Sequence, residues 1–210
     1  MKKKIMAVAL AAALFAIVVG STLAYFTAED TATNEFTIGS VEIDLEENFE
    51  KPNNMVPVVT VDSSDPGYIK KEAWVENTGK NDAYVQAYVA IPKALDDVGA
   101  FVVVDGGTDN WGSRVFAGTA NIKGVTYNVY SYRYKTALAP EAATENFIVA
   151  AYLAPELDYR DGKFIMKGTA IDYTPGESID IHVAAQAIQA QGFADADTAL
   201  NTFTKNPWNN

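Results

Sequence analysis

The chain has 210 residues, with 16 Lys and Arg against 27 Asp and Glu, one histidine and no cysteine. The acidic balance argues against nucleic acid and anionic lipid surfaces as partners, because both would repel it. The missing cysteines exclude a disulfide scaffold, a thiolate nucleophile, a cysteine zinc site and lipoprotein attachment.

Lys2, Lys3 and Lys4 precede an uncharged apolar run, Ile5 to Val19, and then the small-residue sequence Thr22-Leu23-Ala24. This pattern predicts a secretory signal peptide over residues 1–24, cut between Ala24 and Tyr25. The run is about fifteen residues, short of the ~20 that cross a bilayer as a helix. An uncleaved anchor is the alternative. Cleavage leaves residues 25–210, expected to fold as one domain, with 13 basic and 27 acidic residues and a net charge of −14. Membrane contact is expected only before cleavage. The polar stretch Thr204 to Asn210 has no apolar tail or basic stop, so the mature protein is expected to be released or held non-covalently.

From Phe36 to Glu46 the chain alternates over most of its length, with Val41, Ile43 and Leu45 on one face and Glu42, Asp44 and Glu46 on the other. That is the period of a strand with one wet face. A loop follows, then an apolar run from Val56 to Val61 that ends in the turn cluster Ser63 to Gly67. Tyr68 to Asn77 and Ala83 to Ile91, separated by Thr78-Gly79-Lys80-Asn81-Asp82, read as the two strands of a β-hairpin. Lys93 to Val98 reads as a short helical turn, and Phe101 to Val104 as a buried strand stopped by Asp105-Gly106-Gly107.

Residues 105–124 read as an irregular connection around a short strand near Val115. Val125 to Lys135 reads as a strand with Tyr130, Tyr132 and Tyr134 on one face. Phe147 to Leu153 is a further strand, Asp161-Gly162 a hairpin turn into Phe164-Ile165-Met166, and Pro175-Gly176 introduces a strand within Ser178 to Ala190. Asp195 is placed to N-cap a closing helix that runs to about Phe203. Many short strands with few helices predict an all-β sandwich.

Catalytic signals are sparse. The lone His182 stands between Ile181 and Val183, and neither a His-Glu-x-x-His zinc motif nor a Gly-x-Ser-x-Gly elbow occurs. No enzyme, no catalytic residue, no metal ligand and no cofactor is expected. Asp105 to Asn110 superficially resembles a calcium loop, but Phe116 stands where an EF-hand needs its bidentate Glu, so a turn is expected. A calcium site using Glu42, Asp44 or Glu46 has no motif behind it. The tyrosine stripe at 130, 132 and 134 fits either sugar stacking or packing of one sheet on its neighbour.

The lysine-led apolar leader, Ala24-Tyr25-Phe26-Thr27, Asp30 to Asn34 and Phe36-Thr37-Ile38-Gly39 together resemble the start of TasA/camelysin-type proteins of Gram-positive bacteria. Val75 to Val85 and Ala187 to Phe193 are similar to the same group. The resemblance implies a jelly-roll-like antiparallel β-sandwich with one or two short helices. It also implies export through a SipW-type signal peptidase and a role as a biofilm-matrix or cell-surface fibre subunit. The expected partners are other copies of the chain and a related matrix or anchoring protein. In such fibres the freed N-terminal segment of one subunit adds as a strand to the next. Here that donor is Tyr25 to about Phe36, with Tyr25, Phe26 and Phe36 as apolar residues. Thr27, Thr31 and Thr33 favour extended backbone, and Ala28 suits a narrow groove. The alternative is that residues 25–35 form a disordered tail or pair within their own subunit. Camelysin-type relatives are also described as surface metallopeptidases, which leaves a peptidase or a glycan-binding sandwich as other readings.

Overall fold

A computed structural model describes residues 27–31, 41–49, 55–107, 109–173 and 179–209. The chain forms an antiparallel β-sandwich. The strands are β1 (Thr27–Thr31), β2 (Ile43–Phe49), β3 (Ile69–Asn77), β4 (Ala83–Pro92), β5 (Phe101–Asp105), β6 (Val115–Ile122), β7 (Val125–Arg133), β8 (Ile148–Leu153), β9 (Leu157–Arg160), β10 (Lys163–Met166), β11 (Thr169–Ala170) and β12 (His182–Gln189). Two short helices, α1 (Lys93–Asp96) and α2 (Ala196–Leu200), complete the described elements. Asp195 caps α2 as expected, its carboxylate accepting from Thr198 N at 2.7 Å.

One sheet has the order β1-β12-β4-β7-β6, and the facing sheet the order β2-β3-β8-β5. Each sheet therefore brings strands distant in sequence together, β1 beside β12 and β3 beside β8, the winding of a jelly-roll-like sandwich. Between the sheets lies a core of Val41, Val75, Val85, Val89, Ile91, Phe101, Phe147 and Ile148, all nearly inaccessible to solvent. A small third sheet, β11-β10-β9, adds Leu157, Phe164 and Met166 to that core.

The expected hairpin of residues 68–91 does not form. β3 pairs with β2 and β8, whereas β4 pairs with β12 and β7 in the opposite sheet. The reason lies in β4 itself, which is buried on both faces over most of its length and so must be a central strand. Asn77 holds the corner between the sheets, donating to Asn81 O at 2.9 Å and Leu138 O at 2.8 Å while accepting from Gly79 N. The apolar run from Val56 to Val61 is likewise not a strand. Pro57 makes a single bridge to Leu153, and the Asp65 carboxylate takes the Val59 and Thr60 amides that a ladder would need. Val59 is left 86% exposed.

Residues 115–122 form a full strand rather than an irregular link. β6 turns into β7 at Lys123-Gly124, with φ of 50° and 88°. The same left-handed pair occurs at Asp161-Gly162 (52°, 78°) and Lys167-Gly168 (51°, 82°). These are two-residue hairpin turns that match the twist of the flanking strands.

Two glycines separate conformational from steric demand. At Gly124 a Cβ would meet nothing within 4 Å, so only its positive φ resists substitution. At Gly106 a Cβ would lie 1.8 Å from Asn146 O. Gly124→Ala should therefore cost about 1 kcal/mol, and Gly106→Ala clearly more. Denaturant unfolding of the two variants checks this order.

Candidate functional site

The residues that matter most lie along one edge of the five-stranded sheet. β12 reads His-Val-Ala-Ala-Gln-Ala-Ile-Gln, and its residues 183–188 are all buried. Val183, Ala185 and Ala187 join the core between the sheets. Ala184 and Ile188 face the other way, into clusters with Tyr88 and Val129 and with Ala199 and Leu200 respectively. A strand buried on both faces needs a backbone partner on both edges, because an unpaired amide there lacks water. β4 satisfies one edge over eight residues, from His182 opposite Ala90 to Gln189 opposite Ala83. The Gln86 amide donates to the Tyr88 hydroxyl, which donates to Gln186 Oε1, each at 2.6 Å, tying the two strands from the outer face.

β1 satisfies the other edge. It runs antiparallel, with Thr27 opposite Ile188, Ala28 opposite Ala187, Glu29 opposite Gln186, Asp30 opposite Ala185 and Thr31 opposite Ala184. Thr27, Ala28 and Thr31 of the expected donor are thus in a strand that pairs within its own chain. Ala24, Tyr25, Phe26, Thr33 and Phe36 lie outside the described residues. β1 has no second partner in the sheet, and β2 of the facing sheet passes near it. The sequence marked residues 27–31 as extended but did not point to β12 as their partner. The signal that was available is the near-continuous run Val183 to Ile188, whose lack of charge marks a strand buried on both faces.

The remaining candidates do not assemble into a reactive centre. Tyr132 is only 2% exposed and donates to Asp105 at 2.7 Å; Tyr134 donates to Glu145 at 2.9 Å and Tyr130 to Asp96 at 2.6 Å. Burial, aided by the neighbouring carboxylate, pushes the Tyr130 and Tyr134 hydroxyls up to about 12 and raises Tyr132 further in the same direction. The stripe therefore packs one sheet on the other instead of offering rings to a sugar. Asp105 accepts from Tyr132 and pairs with Arg114 at 3.5 Å, so it belongs to this network and not to a calcium loop. Glu42, Asp44 and Glu46 stay on the exposed face of their strand. Among the described residues no three His, Cys, Asp or Glu side chains form a group able to hold a metal.

His182 is half-buried at the start of β12, its ring edge-on to Tyr127 at 5.1 Å. Burial lowers its pKa from 6.5, with Lys123 acting in the same sense and Asp180 and Glu47 against it. The folded chain thus favours neutral His182, while the unfolded chain takes a proton below its ordinary value. Stability from this residue is full above pH 6.5 and lost as pH falls. The carboxylates held down by hydrogen bonds, such as Asp65, lose theirs only in a lower window, below about 4. The melting temperature should therefore fall between pH 7 and 5, and His182→Gln should flatten that slope. An unchanged slope in the variant would assign the effect elsewhere.

Among known proteins, residues 1–91 match the family model described as camelysin metallo-endopeptidase. The match runs from residue 1 into β4 and so includes β1, while β12 lies beyond it. No curated protein and no solved structure matches the chain.

Proposed function

From a chain whose residues 1–91 carry the pattern of the TasA/camelysin family, we propose a secreted structural subunit of biofilm-matrix or cell-surface fibres. Subunits join by exchanging β1, so that the strand beside β12 comes from the neighbouring copy. The carrying observation is that, among the described residues, β1 is an edge strand near the start of the chain whose one ladder partner is β12. Between Thr31 and Val41 the chain has nine residues, which reach at most about 35 Å when extended. That is long enough for β1 to leave its own sandwich and enter an adjacent one.

The energetics permit exchange for a simple reason. The contacts that β1 makes with β12 are the same in a closed monomer and in a chain of copies, so the ladder itself does not choose between them. Effective concentration favours the closed form, and protein concentration favours the open one. Head-to-tail donation is a heterologous contact that does not close on itself, and it therefore propagates as a filament. The mature charge of −14 opposes contact between copies, which salt screens. A SipW-type signal peptidase is the partner that frees Tyr25, and a related matrix or anchoring protein is a further acceptor.

The family's printed name favours a second reading, a surface metallopeptidase. The described residues do not fit a catalytic metal. The single histidine is packed on Tyr127, and no group of three candidate ligands converges. No hydrolytic step is derived for them.

Deleting residues 25–35 should leave a folded monomer that forms no filaments by electron microscopy. A peptide of those residues added in trans should raise its melting temperature again. Unchanged filaments from the deleted chain would defeat the reading. Chelator-sensitive cleavage of casein by the pure mature chain would support the peptidase in its place.

A further inference from the structure

The five-stranded sheet has two edges, and the chain treats them differently. β1 covers the β12 edge. The opposite edge is β6, whose inner side pairs with β7. The two-residue turn at Lys123-Gly124 makes Ile122 and Val125 the closing hydrogen-bonded pair. Ala120 then shares the inward orientation of Ile122, while Thr119 and Asn121 direct their backbone groups away from the sheet. A register shift between Phe116 and Gly118 marks a bulge, where Gly118 takes a φ of 105°. An outward row of carbonyls and amides is a template for another strand.

The segment after α2 lies across this edge. Asn209 Nδ2 donates to Thr119 O at 2.7 Å, and Asn206 Nδ2 reaches Ala117 O at 3.4 Å. Asn206 also accepts from Trp208 N at 3.2 Å, closing a tight turn that holds both amides in place. Trp208 anchors the strap, edge-on to Tyr88 at 6.5 Å and packed on the outer-face cluster of Ala90, Val129 and Ala184. Asn206 and Pro207 are buried. A side-chain amide satisfies an edge carbonyl as a neighbouring strand would, yet it presents no fresh edge beyond itself. The strap stops short of the strand's first residues, where Val115 and Phe116 are 60% and 56% exposed.

We propose that β6 is a second strand-pairing edge, complementary to the β6 of another copy, and that Asn206 to Asn209 mask it. An antiparallel edge is self-complementary, so two β6 strands related by a two-fold axis satisfy each other's outward groups. Val115 and Phe116 supply apolar area at the join. The mask confines growth to the β12 edge; without it, copies also associate side by side. The choice of a second copy as partner rests on the fibre reading, whereas the mask does not.

The test uses the mature chain with Ala28→Cys and Ala187→Cys oxidised, so that β1 is fixed to its own β12. Into this parent go Asn206→Ala and Asn209→Ala, which retain the Trp208 side chain itself. Sedimentation velocity over a concentration series should show the double variant associating at about a tenfold lower concentration than the parent. Adding Phe116→Lys, a charge on the exposed edge, should abolish the gain. Thermal melts confirm that all three chains are folded. If the double variant misfolds, hydrogen exchange of the unsubstituted parent replaces it, and association at high concentration must slow exchange of the outward Asn121 amide. Equal association with and without the asparagines overturns the proposal, as does a gain that survives Phe116→Lys. Filaments from the oxidised parent itself would count against strand donation alone, because the comparison between parent and variant still reads the mask.

Discussion

The structure depends on β12 having a backbone partner along each of its edges. Both faces of this strand are covered, one by the core between the sheets and the other by Tyr88, Val129, Ala199 and Leu200. Its outward amides and carbonyls are paired by β1, and any of them buried without a partner would cost about 1–3 kcal/mol. β4 is fixed in the middle of the sheet and serves one edge permanently. The other edge is served by five residues near the start of the chain. A demand this strong met by an element this small makes the supplier of that strand a matter of geometry and concentration.

The winding of the sandwich explains where the strand proposed to exchange comes from. Strands from opposite ends of the sequence are neighbours, so β1 pairs with β12 across most of the chain. Among the described strand pairs this contact has the greatest sequence separation, the kind of pairing that carries the largest loop-closure cost. From β2 onward the strands pair among themselves, and only the outer edge of β12 waits for β1. The two sheet edges are then unlike. One is filled by a strand that another copy can supply in identical form, and the other by side-chain amides from the strap after α2. A filament with one growth direction needs that asymmetry.

Much of this was legible from pattern alone. The period-two alternation of Val41 to Glu46 and the Asp161-Gly162 turn are local signals, as is the Asp195 cap, and local signals survive folding intact. The failures share a cause in non-local structure. Residues 78–82 look like a hairpin loop, but the burial of β4 on both faces draws it into the other sheet, and only the whole sandwich reveals that. The two Lys-Gly turns were missed because lysine is not a usual residue at a left-handed position. Val56 to Val61 has strand-like composition, yet Asp65, several residues away, claims its amides. For the site, the extended character of residues 27–31 was readable. The groove was not, since its floor is built from β12 and its neighbours, more than 150 residues later in the chain.

Crosslinking between two differently tagged chains tests the central claim most directly. One carries Ala28→Cys and the other Ala187→Cys, and the native sequence contributes no thiol of its own. Mixed, grown into filaments and oxidised, they should yield a covalent heterodimer joining position 28 of one copy to position 187 of the next, as mass spectrometry of the linked peptides would report. Filaments that form normally but never produce that link would contradict strand exchange along β12.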